Sequence, residues 1–219
     1  MRRWKIANGI LSRNTIEQID HGYMLKIYKK PPFPYTRPLS WSQLSLFKYS
    51  KVQWYRSYVL GEKELPSKEM LFGSYVDKKI QDDPMFLPEV PRCAIQQYKL
   101  AVNYNGIDLL GFPDQLDLDN PELRDDKTGK KKWDQKRADE TGQLTMYLFM
   151  IYLILKIPPE SFRCFIDWMP TCLKNDEVAL IEPFELKIIE TKRTMEDIVN
   201  FAKEIIETRK AMIEYYNKQ

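Results

Sequence analysis

The sequence predicts an α/β fold, a central mixed β-sheet flanked by helices, and three observations carry that reading. Two alternating segments, Ile95 to Val102 and Leu109 to Leu118, flank the turn Tyr104-Asn105-Gly106 and read as paired strands. A third strand, Glu122 to Lys127, follows the short Asn120-Pro121 link, which suggests a meander. An apolar helix from Gln143 to Lys156 then supplies a crossover to further strands.

The elements follow in order along the chain. Residues Tyr23 to Lys29 read as a short strand, and PPFPYTRP after them is a Pro-punctuated connector. Ser40 or Ser42 offers an N-cap for a helix through Tyr58, with Trp41, Leu44, Phe47 and Trp54 as its apolar members. The polar link GEKELPSKE leads to a second helix, Glu69 to Ile80, stopped by Asp82-Asp83-Pro84. After the three strands, TGKKKWDQKRADET is a polar loop, and Pro158-Pro159 ends the apolar helix behind it. Strands are expected near Phe162 to Trp168 and Val178 to Ile189. A final helix, Thr194 to Tyr216, sets Ile198, Val199, Ala202, Ile205, Ile206, Met212 and Ile213 at helical spacing. Residues 1–38 read as an N-terminal extension of unclear structure, and residues 39–219 as a single domain.

Composition narrows the class. Of 219 residues 43% are hydrophobic and 13% aromatic, which is ample for a packed core and argues against disorder. Thirty-four basic residues against 31 acidic leave a net charge of +3, so the distribution of charge matters more than its sum. Cys93, Cys164 and Cys172 are far apart and odd in number, with no CxxC pair, which fits a reducing cytoplasmic (intracellular) setting. His21 is the single histidine, so a zinc site of His and Cys is not expected. MRRWKIANGI lacks the apolar run of a signal peptide, and the apolar stretch Leu144 to Leu155 is about half the ~20 residues of a membrane span. No membrane partner is expected. Further protein partners or a homo-oligomer stay open.

The chemistry concentrates in GFPDQLDLDNPELRDDKTGK, Gly111 to Lys130. Asp114 lies on one expected strand, and Asp125 and Lys127 on the next. Residues two apart on a strand share a face, so Asp125 and Lys127 project together while Asp126 turns away. The tight link brings Asp114 beside Asp125. Two close carboxylates repel, and a hard divalent cation such as Mg²⁺ or Mn²⁺ relieves that repulsion. A neighbouring lysine can orient or deprotonate the attacking water, or stabilise charge on a phosphate oxygen. Phosphodiester hydrolysis is the reaction these parts suit. A lone D-x-K is more often an exposed ion pair; its weight here comes from G-x-x-D before it, T-G after it and Q-x-x-x-Y on the next helix. A calcium loop across Asp117 to Asp126 is excluded, because Pro121 and Leu123 fall where ligands are needed.

Pro113-Asp114 with Asp125-Asp126-Lys127-Thr128-Gly129 resembles the signature of the PD-(D/E)xK nuclease superfamily, in particular its RecB-like exonuclease branch. Leu39-Ser40-Trp41-Ser42-Gln43-Leu44 resembles the start of that branch's N-terminal helix. Phe72-Gly73-Ser74-Tyr75-Val76-Asp77 resembles its first motif, and Gln143-Leu144-Thr145-Met146-Tyr147 its Q-x-x-x-Y motif. The similarity runs over residues 39 to 150. It implies a restriction-endonuclease-like core, with Asp77, Asp114, Asp125 and the main chain of Asp126 as metal ligands. It also implies Lys127 as the catalytic lysine, and Gln143 and Tyr147 facing the site or the DNA. Two departures stand out. Asp77 occupies a position that is usually His in the branch, which favours Mg²⁺ or Mn²⁺, and the cysteine pattern of iron–sulfur members is missing, so no such cluster is expected.

The resemblance makes DNA the expected partner, and an exonuclease the expected activity. The alternatives are an endonuclease or resolvase of the same fold, and an inactive nucleic-acid-binding subunit of a repair or viral complex. Lys130, Lys131, Lys132, Lys136 and Arg137 would then grip phosphates, with Trp133 placed for base stacking.

Overall fold

The computed structural model describes residues 19–20, 23–24, 37–62 and 65–219. Ile19–Asp20 (β1) and Tyr23–Met24 (β2) pair antiparallel. The remainder of the strand expected over Tyr23 to Lys29, and residues 31–36 of the connector, lie outside the described residues. Contacts group the chain into two compact units: the described residues of Met1–Glu64 with Glu204–Gln219, and Leu65–Lys203.

In the first unit, α1 (Trp41–Tyr49) starts at Ser40, whose hydroxyl accepts the Gln43 N–H at 3.4 Å. The sequence predicts one helix from here through Tyr58, but the chain breaks at Ser50. Ser50 is extended, and its hydroxyl accepts the Gln53 N–H at 3.2 Å, which starts a second helix, α2 (Lys51–Trp54). A serine side chain competes well for backbone N–H groups and so favours a cap over a helix interior. A π-helical turn, Tyr55–Val59, follows. Leu44, Phe47 and Trp54 are buried, as are Ile205 and Met212 of the last helix, α6 (Met195–Asn217). Phe47 meets Trp54 edge-on at 5.0 Å and Tyr215 at 6.2 Å. These aromatics form core.

The second unit is α/β, a mixed sheet flanked by helices. Its helix α3 (Lys68–Asp82) is capped by Ser67 and buries Val76 and Ile80 against Val90 and Met169. The Arg92 guanidinium donates to the carbonyls of Ile80, Asp83, Phe86, Leu87 and Val90, which fixes the loop after α3. The strands are β3 (Ile95–Gln96), β4 (Leu100–Tyr104), β5 (Ile107–Gly111), β6 (Gln115–Asp117), β7 (Glu122–Gly129), β8 (Arg163–Lys174), β9 (Glu177–Leu180) and β10 (Lys187–Thr191). The main sheet runs β10-β8-β7-β6-β3, with β9 on β8. Only β7 and β8 are parallel. The crossover between them carries α4 (Gln135–Glu140) and α5 (Gly142–Leu155).

Several expected boundaries shift for local reasons. The two long strands expected from Ile95 and to Leu118 are each broken, at Gln97–Lys99 and at Phe112–Asp114. Pro113 has no N–H to give a ladder, and Gln97 is left-handed (φ 49°). The breaks face each other, so β4–β5 form a separate two-stranded sheet while β3 pairs with β6. The strand expected over Val178 to Ile189 is divided around Pro183 for the same reason, and its halves pair with different stretches of β8. The polar loop after β7 contains α4, because Asp134 accepts the Arg137 N–H at 2.9 Å and Ala138 is fully buried.

Candidate active site

The site grows from the facing breaks. β6 begins only at Gln115, opposite Arg124, so β7 residues beyond Arg124 have no β6 ladder partner. The Asp126 N–H donates to Asp114 Oδ2 at 3.0 Å. The kink therefore sets the Asp114 carboxylate directly against β7. On that strand Asp125 is fully buried, and Lys127 Nζ lies 2.5 Å from Asp125 Oδ2. Despite this ion contact, neither Asp125 oxygen has a hydrogen bond of ordinary geometry. Asp125 is the neighbour whose charge acts most strongly on Asp114. The structure thus brings together Asp114, Asp125 and Lys127.

Each remaining element supplies one contact. Gly73 lies one helical turn before Asp77 on α3, and a Cβ there would meet the Thr128 hydroxyl at 3.0 Å. Its absence lets α3 approach β7, and Asp77 lines the same cavity of about 500 Å³ as Asp114, Asp126, Lys127 and Gln143. Gly111 plays the matching part on the other side: a Cβ would sit 2.8 Å from the Tyr147 ring. Tyr147 donates its hydroxyl to the Phe112 carbonyl at 3.0 Å and accepts from Gln143 Nε2 at 3.0 Å. The two residues of Q-x-x-x-Y hence act as a pair that clamps the Phe112–Asp114 kink.

Asp126 turns away from Asp125 and Lys127, as strand alternation predicts, onto the face of Arg124 and Asp167. Its carboxylate accepts from Gln115 Nε2 at 3.0 and 3.2 Å, Gln115 Oε1 accepts the Cys93 N–H, and residue Asp126 borders the cavity. Across the β7–β8 ladder from Asp126 stands Asp167, whose two oxygens accept from Arg124 Nη1 at 2.8 Å.

Crowded buried carboxylates hold protons. Burial, then the charge of Asp125, pushes Asp114 up to about 7. Burial, then Asp114 and Asp167, pushes Asp126 up to about 8. Asp77 is raised by burial and by Asp114. For Lys127 burial works against the ammonium, but Asp125, Asp114 and Asp126 outweigh it and hold its pKa above the ordinary lysine value. Lys127 is a cation at neutral pH.

The donor set fits a hard divalent ion. Among the described residues no three Asp, Glu, His or Cys side chains close into a ready-made cage. Mg²⁺ does not need one, since it is held by one or two carboxylates with retained water and substrate phosphate. Asp114, which lines the cavity, and Asp125 beside it are the carboxylates that could hold such an ion.

The basic loop is divided. Lys130, Lys131, Lys132, Lys136 and, less completely, Arg137 reach the surface. Lys130 lies 3.7 Å from Glu69 and Lys136 3.8 Å from Glu140. Trp133 departs from the base-stacking expectation: it is 8% exposed, with Arg137 3.9 Å over its ring. Arg137 also donates to the Lys131 and Lys132 carbonyls, so the tryptophan anchors the loop from inside. Two glutamines at the site, Gln97 and Gln115, carry no mark in the sequence. Neither belongs to a motif, and each acquires its role only when the kinked hairpin folds.

No family model matches the chain, and no curated protein matches it. Among solved structures, one from Eubacterium rectale, described as a "putative exonuclease", aligns over 83% of this chain and 82% of its own. The TM-score is 0.54 at 13% identity, which establishes a shared fold. This agrees with a restriction-endonuclease-like core. A second, SSO0001, aligns over 78% of this chain and 75% of its own at 14% identity. Its TM-score is 0.36, too low to argue from. Among the described residues no helix is long and apolar enough to cross a membrane.

Proposed function

We propose that this chain is a Mg²⁺- or Mn²⁺-dependent deoxyribonuclease, an exonuclease of the RecB-like kind, hydrolysing phosphodiester bonds at Asp114, Asp125 and Lys127. The observation that carries the reading is the Asp125 carboxylate. It is buried, in ion contact with Lys127 at 2.5 Å, and has the Asp114 carboxylate beside it. Crowding two carboxylates in a buried place costs about a few kcal/mol, and one ammonium offsets only one of the two charges. A cation shared with Asp114 removes that cost. Asp114 and Asp125 would hold the ion, with Asp77 and Asp126 on the cavity wall within its field. When bound, the ion polarises phosphate and lowers the pKa of its water.

Lys127 contributes charge. Held protonated by its three aspartate neighbours, it would stabilise negative charge growing on the phosphate oxygens rather than take a proton from the attacking water. Gln143 and Tyr147 hold the Asp114 kink in place, and the exposed lysines of the basic loop give an electrostatic grip on the DNA backbone. The Eubacterium rectale protein of the same fold carries an exonuclease description, which supports the choice of reaction.

Incubating end-labelled linear and closed circular DNA with Mg²⁺, Mn²⁺ or EDTA tests the proposal. Cleavage of linear DNA that needs metal and an end is the expected result. Cutting of closed circles points to an endonuclease of the same fold, and DNA binding with no cleavage under either metal points to an inert binding subunit.

A further inference from the structure

Gln97 is the one side chain that joins the two separate pieces of acidic wall, and no motif accounts for it. Its Nε2 donates to Asp114 Oδ1 at 2.9 Å and to Asp77 Oδ1 at 3.3 Å. Its own N–H donates to the Asp114 carbonyl at 3.0 Å. The residue is left-handed, an unusual conformation for a side chain of this kind, which costs about 1 kcal/mol or more and is kept only where surroundings over-determine it. Here three hydrogen bonds, all to the two aspartates, do so.

We infer that Gln97 is a positioning residue for the metal site: its carboxamide fixes the spacing of Asp77 and Asp114 and so raises the affinity of the site for a divalent cation. This deepens the proposed nuclease reading and rests on it. The chemistry calls for a group with at least two N–H donors. Asp77 and Asp114 are both acceptors when ionised and repel one another, so only a group with two N–H donors satisfies one oxygen of each at once. A carboxamide has two. By accepting those bonds, Asp77 Oδ1 and Asp114 Oδ1 are held in fixed directions, while Asp114 Oδ2 is held by the Asp126 N–H. Both oxygens of Asp114 are thereby oriented before any cation arrives. The ordering cost of binding is lowered in advance.

The same bridge couples α3 to the hairpin. Asp77 sits on α3 and Asp114 at the kink, and they belong to elements otherwise joined through β7. Loss of the bridge removes the link between the two carboxylates and leaves the Asp114 side chain held by the Asp126 N–H.

The test is direct Mn²⁺ binding to the full chain without DNA, followed by the paramagnetic resonance of free Mn²⁺, in wild type, Gln97→Met, Asp77→Asn and the double variant. Methionine matches the length of glutamine and removes both donors. Gln97→Met is expected to weaken Mn²⁺ binding about 10- to 100-fold, the range seen when groups orienting metal ligands are removed. In the Asp77→Asn background the further loss is expected to be smaller, because a neutral amide oxygen at position 77 accepts more weakly than a carboxylate and the bridge is already weakened at one end. Equal affinity of wild type and Gln97→Met overturns the inference, and so does full additivity of the two substitutions. Wild type that binds no Mn²⁺ instead overturns the metal reading beneath it. A measurement on wild type alone guards against a misfolded variant. With ¹⁵N-labelled glutamine, the Gln97 carboxamide resonance is expected to move on adding Mg²⁺, and a resonance that stays put contradicts the role.

Discussion

Gly111→Ala puts the architecture of the site under direct strain. The new methyl would lie 2.8 Å from Tyr147 Cε1, 3.0 Å from Cδ1 and 3.4 Å from Met150 Sδ. Ordinary carbon contacts fall at roughly 3.5–4.0 Å, so ring and strand must separate by more than about half an ångström. The Tyr147 hydroxyl is bonded at 3.0 Å to the Phe112 carbonyl and to Gln143, and that shift carries it toward the limit of a hydrogen bond. Overpacking of this kind costs about 1–3 kcal/mol, and a weakened buried bond adds about 1 kcal/mol. The expected loss is therefore about 2–4 kcal/mol, read from urea unfolding of both proteins. Because Phe112 is two residues from Asp114, cleavage should also fall, by about 10²-fold if the carboxylate moves by about 1 Å. Tyr147→Phe separates the two effects: it keeps the ring and loses the bond, so stability drops by about 1 kcal/mol. A Gly111→Ala protein within about 0.5 kcal/mol of wild type, a typical surface effect, would refute the claim that Tyr147 packs on the strand and clamps the kink.

Protonation gives a second expectation. Asp114 and Asp126 hold protons up to about 7 and about 8, above the ordinary carboxylate value of roughly 4 in an unfolded chain. Between those limits the folded chain binds more protons than the unfolded one, so their stabilising contribution is complete below pH ~4 and lost as pH rises through 7 to 8. With EDTA present, urea midpoints should fall from pH 5 to pH 8, and Mn²⁺ should restore them most strongly at pH 8. A midpoint indifferent to Mn²⁺ at pH 8 contradicts this. Arg193 is buried and donates to Thr145, Thr191 and the carbonyls of Ala138, Thr141 and Lys192, tying the α4–α5 junction to the end of β10. Arg193→Ala should cost about 3 kcal/mol or more, measured by thermal unfolding, since several buried acceptors lose their donor together. Neutralising Lys130, Lys131 and Lys132 to Gln should lower the salt slope of DNA binding by about one unit per lysine that touches phosphate. An unchanged slope moves the DNA path off that loop.

The sequence carried the fold class because its strongest signals are local. The apolar run of α5, the paired breakers Pro158-Pro159 and the stripe of α6 each fix an element without help from distant contacts. The convergence of Asp114, Asp125 and Lys127 was legible too, through strand alternation and one short link. Other features depended on partners. Ser50 reads as a helix residue until its hydroxyl is seen to cap α2. The facing breaks at Gln97 and Pro113 appear only when the hairpin register is known, and they set the position of Asp114 against β7. Trp133 within a run of lysines looks exposed, and its burial comes from Arg137 folding over it through a helix the composition obscured. Gln97 and Gln115 were illegible for the plainest reason: a glutamine acquires meaning from the two groups its amide joins.

Cleavage of linear DNA by wild type and by Lys127→Ala, at saturating Mn²⁺ and in a single turnover, probes the cation pocket most directly. If a charged lysine against the Asp114–Asp125 pair supports the reaction, the variant is slower by about 10²-fold or more while it still binds Mn²⁺. A variant that cuts as fast as wild type would mean that the chemistry, if the chain has any, lies elsewhere.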